Sequence, residues 1–452
     1  MIKHIFKIIW TEKKLNAWIL LEMIVSFSIL WFCTDYLFYM GKKYFEPKGF
    51  NIEDTYKINL EIANNPYSAM MTKYYETGEI TDENRAVVEA YRQGKTPNQN
   101  YNDRAWLLLR MIEQYPGVEY ASLSRIANPY NTGSILGQYF VDSLQSSPGP
   151  KEDFHTYKYQ KAVSPDFFHV FQIKLIEGEY FNENLSLDRQ FIISGDDNNL
   201  FSKENVADVK WLYWKDQQGN TISGKVAGVV NKTKRGDYED FIPVVYVPLE
   251  KDADLTLGME ICFRLNPEAD KNFINRFNKE MKPLLDVEPF SYHGIESLKD
   301  TREKYMKIFD YDSKFKSIYL VSFFLIFNIL IGIVGTFWFR MQSRRGEVGL
   351  RMAMGASKKG IRRMYMLEAI LLLSLATIIS IIICINISMT DFLESASLPM
   401  VFRMDNEIVS WSRYLGNSAL TFLALSIITI FSVWYPAQKA STVQPAEVLR
   451  DN

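Results

Sequence analysis

The chain has 452 residues, of which 47% are hydrophobic and 23% charged, with a formal net charge of −2. That length accommodates a soluble core plus several membrane spans, and the near-zero charge gives no sign of nucleic-acid binding. Three cysteines (Cys33, Cys262, Cys384) and four scattered histidines show no zinc-ligand spacing, and with only Cys262 in the polar region that region cannot close an internal disulfide.

A membrane span needs about 20 largely apolar residues. Residues 1–16 read as a cytoplasmic amphipathic segment, and 17–40 is the first apolar block, interrupted by Glu22 and Asp35. Its apolar stretch exceeds that of a signal peptide, and no small-residue cleavage site precedes Gly41. Residues 41–312 then form a folded extracytoplasmic domain, more than half of the chain. Within it, 82–114 reads as helix, with Trp106, Leu109, Ile112 and, less well aligned, Leu108 on one face. Strands are expected at Gln190–Ser194, Gly224–Val230 and Pro243–Val247, and a hairpin turn at Asp216–Asn220. Residues 268–283 and 294–312 read as helices, the latter as a stalk running into the second span. The run Gly219–Val226 matches a phosphate-loop spacing, but Val226 stands where a magnesium-binding hydroxyl is needed and a strand follows, so a β-turn is the better reading. No metal signature or catalytic set stands out.

The second block is 318–339, the third 367–387 and the fourth 414–435, with Trp and Tyr crowding their ends. Between the second and third, residues 340–366 carry Arg340, Arg344, Arg345, Arg351, Lys358, Lys359, Arg362 and Arg363 against one acid, Glu347. The opposite loop, 388–413, has two basic and four acidic residues. By the positive-inside rule the basic loop is cytoplasmic, and both ends of the chain, including the tail 436–452, share that side. The predicted fold is an α-helical membrane protein of four transmembrane helices with a large α+β domain between helices 1 and 2. Apart from Glu22, Asp35 and Glu368, the spans offer few polar groups to line a conduit.

The basic loop is the most informative segment. A short helix, Gly346 to Met354, is followed by Gly355, and Ser357 caps the next helix. Val348, Leu350 and Met354 fall on an apolar side; Arg345, Glu347 and Arg351 fall on a charged one. An anchor for anionic headgroups accounts for the charge, but not for small residues at Gly346, Gly349, Ala353, Gly355 and Ala356, which let another surface approach. The sites expected to receive a partner are Arg344, Arg345, Glu347, Val348, Gly349, Leu350, Arg351, Ala353, Gly355, Ala356 and Ser357.

This segment resembles the coupling region of FtsX/MacB-type ABC permeases, whose pattern is roughly R-x-x-E-I-G-x-x-x-A-x-G-A; Val348 replaces the usual Ile. The tail Tyr435–Arg450 is similar to the closing pattern of that family, and Val163–Phe171, Glu177–Phe181, Lys225–Val230 and Val245–Leu249 resemble the MacB-type periplasmic core. The resemblance implies a dimer, with a second permease copy or a paralogue. It also implies a separate ABC ATPase that holds ATP and Mg and docks on this loop, so that the chain itself is no enzyme and carries no cofactor. It implies the bacterial inner membrane, with the large domain in the periplasm, and is compatible with a periplasmic adaptor and outer-membrane channel. The implied work is mechanical: expulsion of a substrate such as a drug, antimicrobial peptide or lipoprotein-like molecule. The alternative is a regulator that drives a cell-wall hydrolase or peptide response through the same lever.

Overall fold

The computed structural model describes residues 13–62, 77–92, 99–141, 156–181, 190–195, 211–215, 221–251, 258–269, 272–388 and 411–441, with residues 70, 74, 255 and 390. The chain divides into two compact units, 1–44 with 310–452, and 45–309.

The first unit is helical. Its long helices are α1 (Lys13–Phe45), α7 (Tyr311–Ser343), α9 (Lys358–Ser388) and α10 (Trp411–Ala440), with the short α8 (Arg345–Ala353) between α7 and α9. All four long helices have the length and apolar composition to cross a membrane. They are longer than the apolar blocks because helical hydrogen bonding continues into the polar flanks. Hydroxyls inside them are satisfied locally: Ser28, Thr336, Ser374, Thr377 and Ser432 each donate to the carbonyl four residues back, at 2.7–2.8 Å. Their shared core is built from Phe27 and Trp31 of α1, Ile333 and Phe337 of α7, Tyr365 and Leu372 of α9, and Leu425 and Val433 of α10.

The second unit is α+β. It contains α2 (Arg85–Arg92), α3 (Gln99–Glu113), α4 (Phe167–Val170), α5 (Phe273–Leu285) and α6 (Leu298–Ile308). Its principal sheet comprises β1 (Thr55–Ile62), β2 (Val118–Arg125), β3 (Leu136–Val141), β4 (Thr156–Val163), β5 (Leu175–Gly178), β6 (Gln190–Ser194), β7 (Trp211–Lys215), β8 (Thr221–Val230), β11 (Val244–Pro248), β12 (Met259–Leu265) and β13 (Phe290–Ser297). A two-residue pair, β9 (Thr233–Lys234) with β10 (Phe241–Ile242), stands apart. The strand path runs β11-β6-β8-β7-β3-β4-β2-β12-β1-β13, and β11 also pairs in parallel with β4, so six strands close on themselves.

The expected strand Gln190–Ser194 is β6, and the other two fall within β8 and β11 with small shifts at their ends. The antiparallel register Trp211↔Lys225 to Lys215↔Thr221 matches a hairpin; residues 216–220 of its turn lie outside the described residues. Lys225 sits inside β8, so no helix N-terminus follows the phosphate-loop-like run. On α3 the buried face is Ala105, Leu108, Leu109 and Ile112, with Trp106 partly buried at its edge; the expectation put Trp106, Leu109 and Ile112 on that face with Leu108 less well aligned. That face and Phe277 of α5 pack on Phe263 of β12, each fully buried side chain contributing roughly 1.5–3 kcal/mol.

The stalk helix expected at 294–312 is not continuous. Residues 290–297 pair with β1 as a strand. Ser297 then caps α6, its Oγ accepting the Asp300 N–H at 3.1 Å. The helix stops before Asp310, whose φ of 53° breaks it from α7.

The segment Val163–Phe171, one carrier of the family resemblance, is structural. Phe167, Phe168, Val170 and Phe171 are all buried, and Tyr180 stacks on Phe168 at 5.2 Å. A polar knot lies in the same unit. Buried Asp237 pairs with Lys48 at 2.7 Å and with Arg302 of α6 at 2.5 Å, and it accepts the Tyr130 hydroxyl at 2.7 Å. Burial pushes the Asp237 carboxyl upward, but the hydrogen bonds from Lys48, Tyr130 and Arg302 outweigh it and hold the group below the usual range.

Candidate functional site: the loop between the second and third long apolar helices

The loop has a defined shape because its backbone ends are capped. Arg344 closes α7, and the Val348 N–H bonds to its carbonyl at 3.1 Å, starting α8. At the far end the Gly355 N–H reaches Met352 O at 3.0 Å and the Ala356 N–H reaches Arg351 O at 2.9 Å. This is a Schellman turn, which places its C′ residue in the left-handed region; that residue is Gly355, with φ of 95°. Ser357 then accepts the Gly360 N–H at 3.1 Å and starts α9.

The structure sorts the expected site residues into two sets. Val348 is buried in the helical core and Gly349 is buried with it. Arg344 is also buried. Facing outward are Arg345, Glu347, Leu350, Ala353, Gly355, Ala356 and Ser357. Leu350 is 51% and Met354 73% exposed. The single apolar side expected for Val348, Leu350 and Met354 is therefore split: Val348 fastens α8 to the core, while Leu350 and Met354 protrude. Arg351 spans the two sets. It forms an i,i+4 ion pair with Glu347, with the acid on the N-terminal side that favours such pairs, and its Nη1 contacts Met364 Sδ of α9 at 2.9 Å.

Sequence reasoning missed what lies beneath. Glu368 of α9 accepts from Arg340 of α7 at 2.6 Å and from Arg344 at 3.3 Å. Arg340 also donates to Asn16 of α1. The Arg340 and Glu368 side chains are 1% and 2% exposed. Arg344, expected on the docking face, thus holds the start of α8 to a cluster joining three long helices. A charge count treats Arg340 and Arg344 as solvated anchors. The available signal was Glu368, one of few acids inside a span, which needs a partner.

The other acids in the spans have separate fates. Asp35 takes a two-pronged bond from Arg413 of α10 at 2.9 and 2.5 Å. Glu22 lays its carboxyl over the backbone of Gly332 on α7, where a side chain would otherwise stand. Among the described residues no group of three or more His, Cys, Asp or Glu could hold a metal. The arrangement offers protruding apolar side chains, small neighbours and a charged rim on a fastened helix: the makings of a protein-docking surface.

Four helices long and apolar enough to cross a membrane, a folded domain between the first two and a fastened, outward-facing loop between the second and third describe a polytopic membrane protein. Residues 319–445 match the FtsX-like permease C-terminal family, a range holding most of α7, all of α8 and α9, and α10. A probable export ATP-binding/permease protein of Pseudomonas fluorescens is 23% identical over 75% of this chain and 51% of its own length. The uncharacterized ABC transporter permease YvrN of Bacillus subtilis is 26% identical over 64% of this chain and 69% of its own. The macrolide export protein MacB of Escherichia coli is 20% identical over 74% and 51%. The chain spans about half the length of the ATP-binding/permease proteins it matches. The solved periplasmic region of MacB from Actinobacillus actinomycetemcomitans aligns over 58% of this chain and 97% of that one, at 11% identity and a TM-score of 0.33. Residues 319–445 thus resemble the C-terminal part of FtsX-like permeases, and the chain is similar to the permease part of MacB-type export proteins.

Proposed function

We propose that this permease works as the membrane half of an ABC machine, receiving the stroke of a separate ATPase on α8 and passing it to the extracytoplasmic unit. The observation that supports this reading is the two-faced lever: Leu350 and Met354 protrude while Val348 and Arg344 fasten the same helix to the core. ATP and Mg belong to the partner. The loop and both chain ends lie in the cytoplasm, the large unit lies in the periplasm, and the bilayer is the bacterial inner membrane. Two permease copies work together, with an adaptor and outer-membrane channel as further partners. The work done is expulsion of a substrate already outside the inner membrane.

The reading is tested by Met354→Glu, alone and with Leu350→Glu, in full-length permease co-purified with its ATPase. A charge in a desolvated anchor position should cost about tenfold or more in affinity, with the thermal midpoint of the permease unchanged. Undiminished co-purification and ATP-driven activity would sink it. If a mutant lacking the chain shows altered wall hydrolysis and no export defect, the lever serves regulation instead.

A further inference from the structure

Helix α7 differs from the other three long helices. In its most apolar stretch 17% of the residues are buried within the chain, against 33–39% for the others. In the middle of it stands Asn328, exposed. A primary amide in hydrocarbon is costly unless it is hydrogen-bonded. Asn386 of α9 solves this by donating to its own helix, to Ile382 O at 2.7 Å, and Asn417 of α10 donates to Trp31 O at 3.0 Å. Asn328 makes no hydrogen bond among the described residues.

Its neighbours point to what covers it. Phe324, Asn328, Ile331 and Gly335 recur at spacings of four, three and four, the seam of two helices crossing at a shallow angle. Phe324 is 62% and Ile331 53% exposed. The notch at Gly332 is filled by Glu22 of the same chain, whereas nothing comes within 4 Å of the place a side chain would take at Gly335. An open glycine lets another backbone come close.

We propose that this stripe of α7 is the seam with a second copy of this chain, closed by an amide pair between the two Asn328 side chains. The amide is both donor and acceptor, so an identical group facing it across a two-fold axis satisfies both functions at once. Lipid tails offer neither. A single polar residue in an otherwise apolar seam also fixes register, because sliding by one turn strands both amides. This deepens the dimeric permease reading above by naming the helix and the residue on which the copies meet.

The test is cross-linking in native membranes of full-length chain carrying Asn328→Cys or Gly335→Cys, against Ile378→Cys on α9 and Leu423→Cys on α10, which are 60% and 58% exposed. The three native cysteines are common to every arm. A disulfide-linked dimer of the chain at 328 and 335, and not at 378 or 423, is expected. Asn328→Leu, free of any added cysteine, should weaken self-association measured in detergent by about three- to thirtyfold, and Asn328→Gln by less. Cross-linking at 378 or 423 equal to that at 328, cross-linking at 328 to a different protein, or unchanged association of Asn328→Leu would each overturn the proposal. The detergent measurement uses the chain purified without an ATPase, so a failure of docking on α8 and a failure of this seam are told apart.

Discussion

The two ends of the helical unit each carry an ion pair, and they are built differently. At the loop end Arg340, Arg344 and Glu368 lie almost entirely out of contact with solvent, and Arg344 is the residue from which the lever starts. At the other end Arg413 and Asp35 keep 28% and 13% of their side-chain surface exposed and staple α10 to α1. A wet staple can be lost cheaply. A dry cluster cannot, because losing one member leaves the others charged, without their counter-charge and away from water. The unit thus places its most demanding electrostatics where α8 is attached, which supports the proposal that force enters there.

The largest effect follows from that contrast. Glu368→Ala leaves two buried guanidinium groups without their acid and should cost about 3–5 kcal/mol, seen as a lowered thermal midpoint in detergent and as trypsin cutting at Arg345. Asp35→Asn should cost about 1 kcal/mol or less and leave Arg345 as protected as before. Equal losses, or no change at Arg345 in Glu368→Ala, would erase the distinction between the two ends.

A smaller effect is expected in the other unit, where Asp237 is buried among half-buried cations. Asp237→Asn should cost about 2 kcal/mol, discounted because Lys48 and Arg302 still reach water. The pH dependence has a definite sign. The folded carboxyl lies below its unfolded value, so its contribution is complete above the unfolded pKa and drains away as pH falls through the folded one. Wild-type protein should therefore lose stability below roughly pH 4, near and under the reference Asp value, by more than Asp237→Asn does. Parallel acid profiles for the two would show that the knot contributes nothing.

The same contrast explains what could be read from residues alone. The four long apolar helices were legible because hydrophobic length is a local property, and the β6 strand because β-branched residues cluster between turn residues. Gly355 and Ser357 were legible as punctuation, since a left-handed turn and a helix cap each make their demand at one position. The inward turn of Arg344 was not, because its partner is 24 residues away and only the return of α9 beside α7 brings Glu368 to it. The break at Asp310 was hidden for a related reason: 294–297 has helical company in sequence but a strand partner, β1, more than two hundred residues earlier. Leu108 is fully buried and Trp106 only partly so, because a helical face is centred by what packs on it, and the sheet under α3 selects Ala105, Leu108 and Ile112.

The smallest effect sits on the lever itself. Gly355 has open space around it, so a methyl group there meets no neighbour, and the cost of Gly355→Ala is conformational alone. Holding alanine at a φ of 95° should cost about 1 kcal/mol, and Gly355→Asn should cost less, because asparagine tolerates the left-handed region better. The change in thermal midpoint is expected to be slight in both. Under the function proposed above, the informative readout is ATP turnover by the docked ATPase per unit of work done outside. Because Ala356 and Ser357 follow directly, relaxing the turn re-aims Met354 and the start of α9 without touching Arg344 or Glu368. If the buried cluster alone positions the lever, Gly355→Ala will couple like wild type. If the turn shares that task, coupling will fall in Gly355→Ala and recover in Gly355→Asn while stability hardly moves.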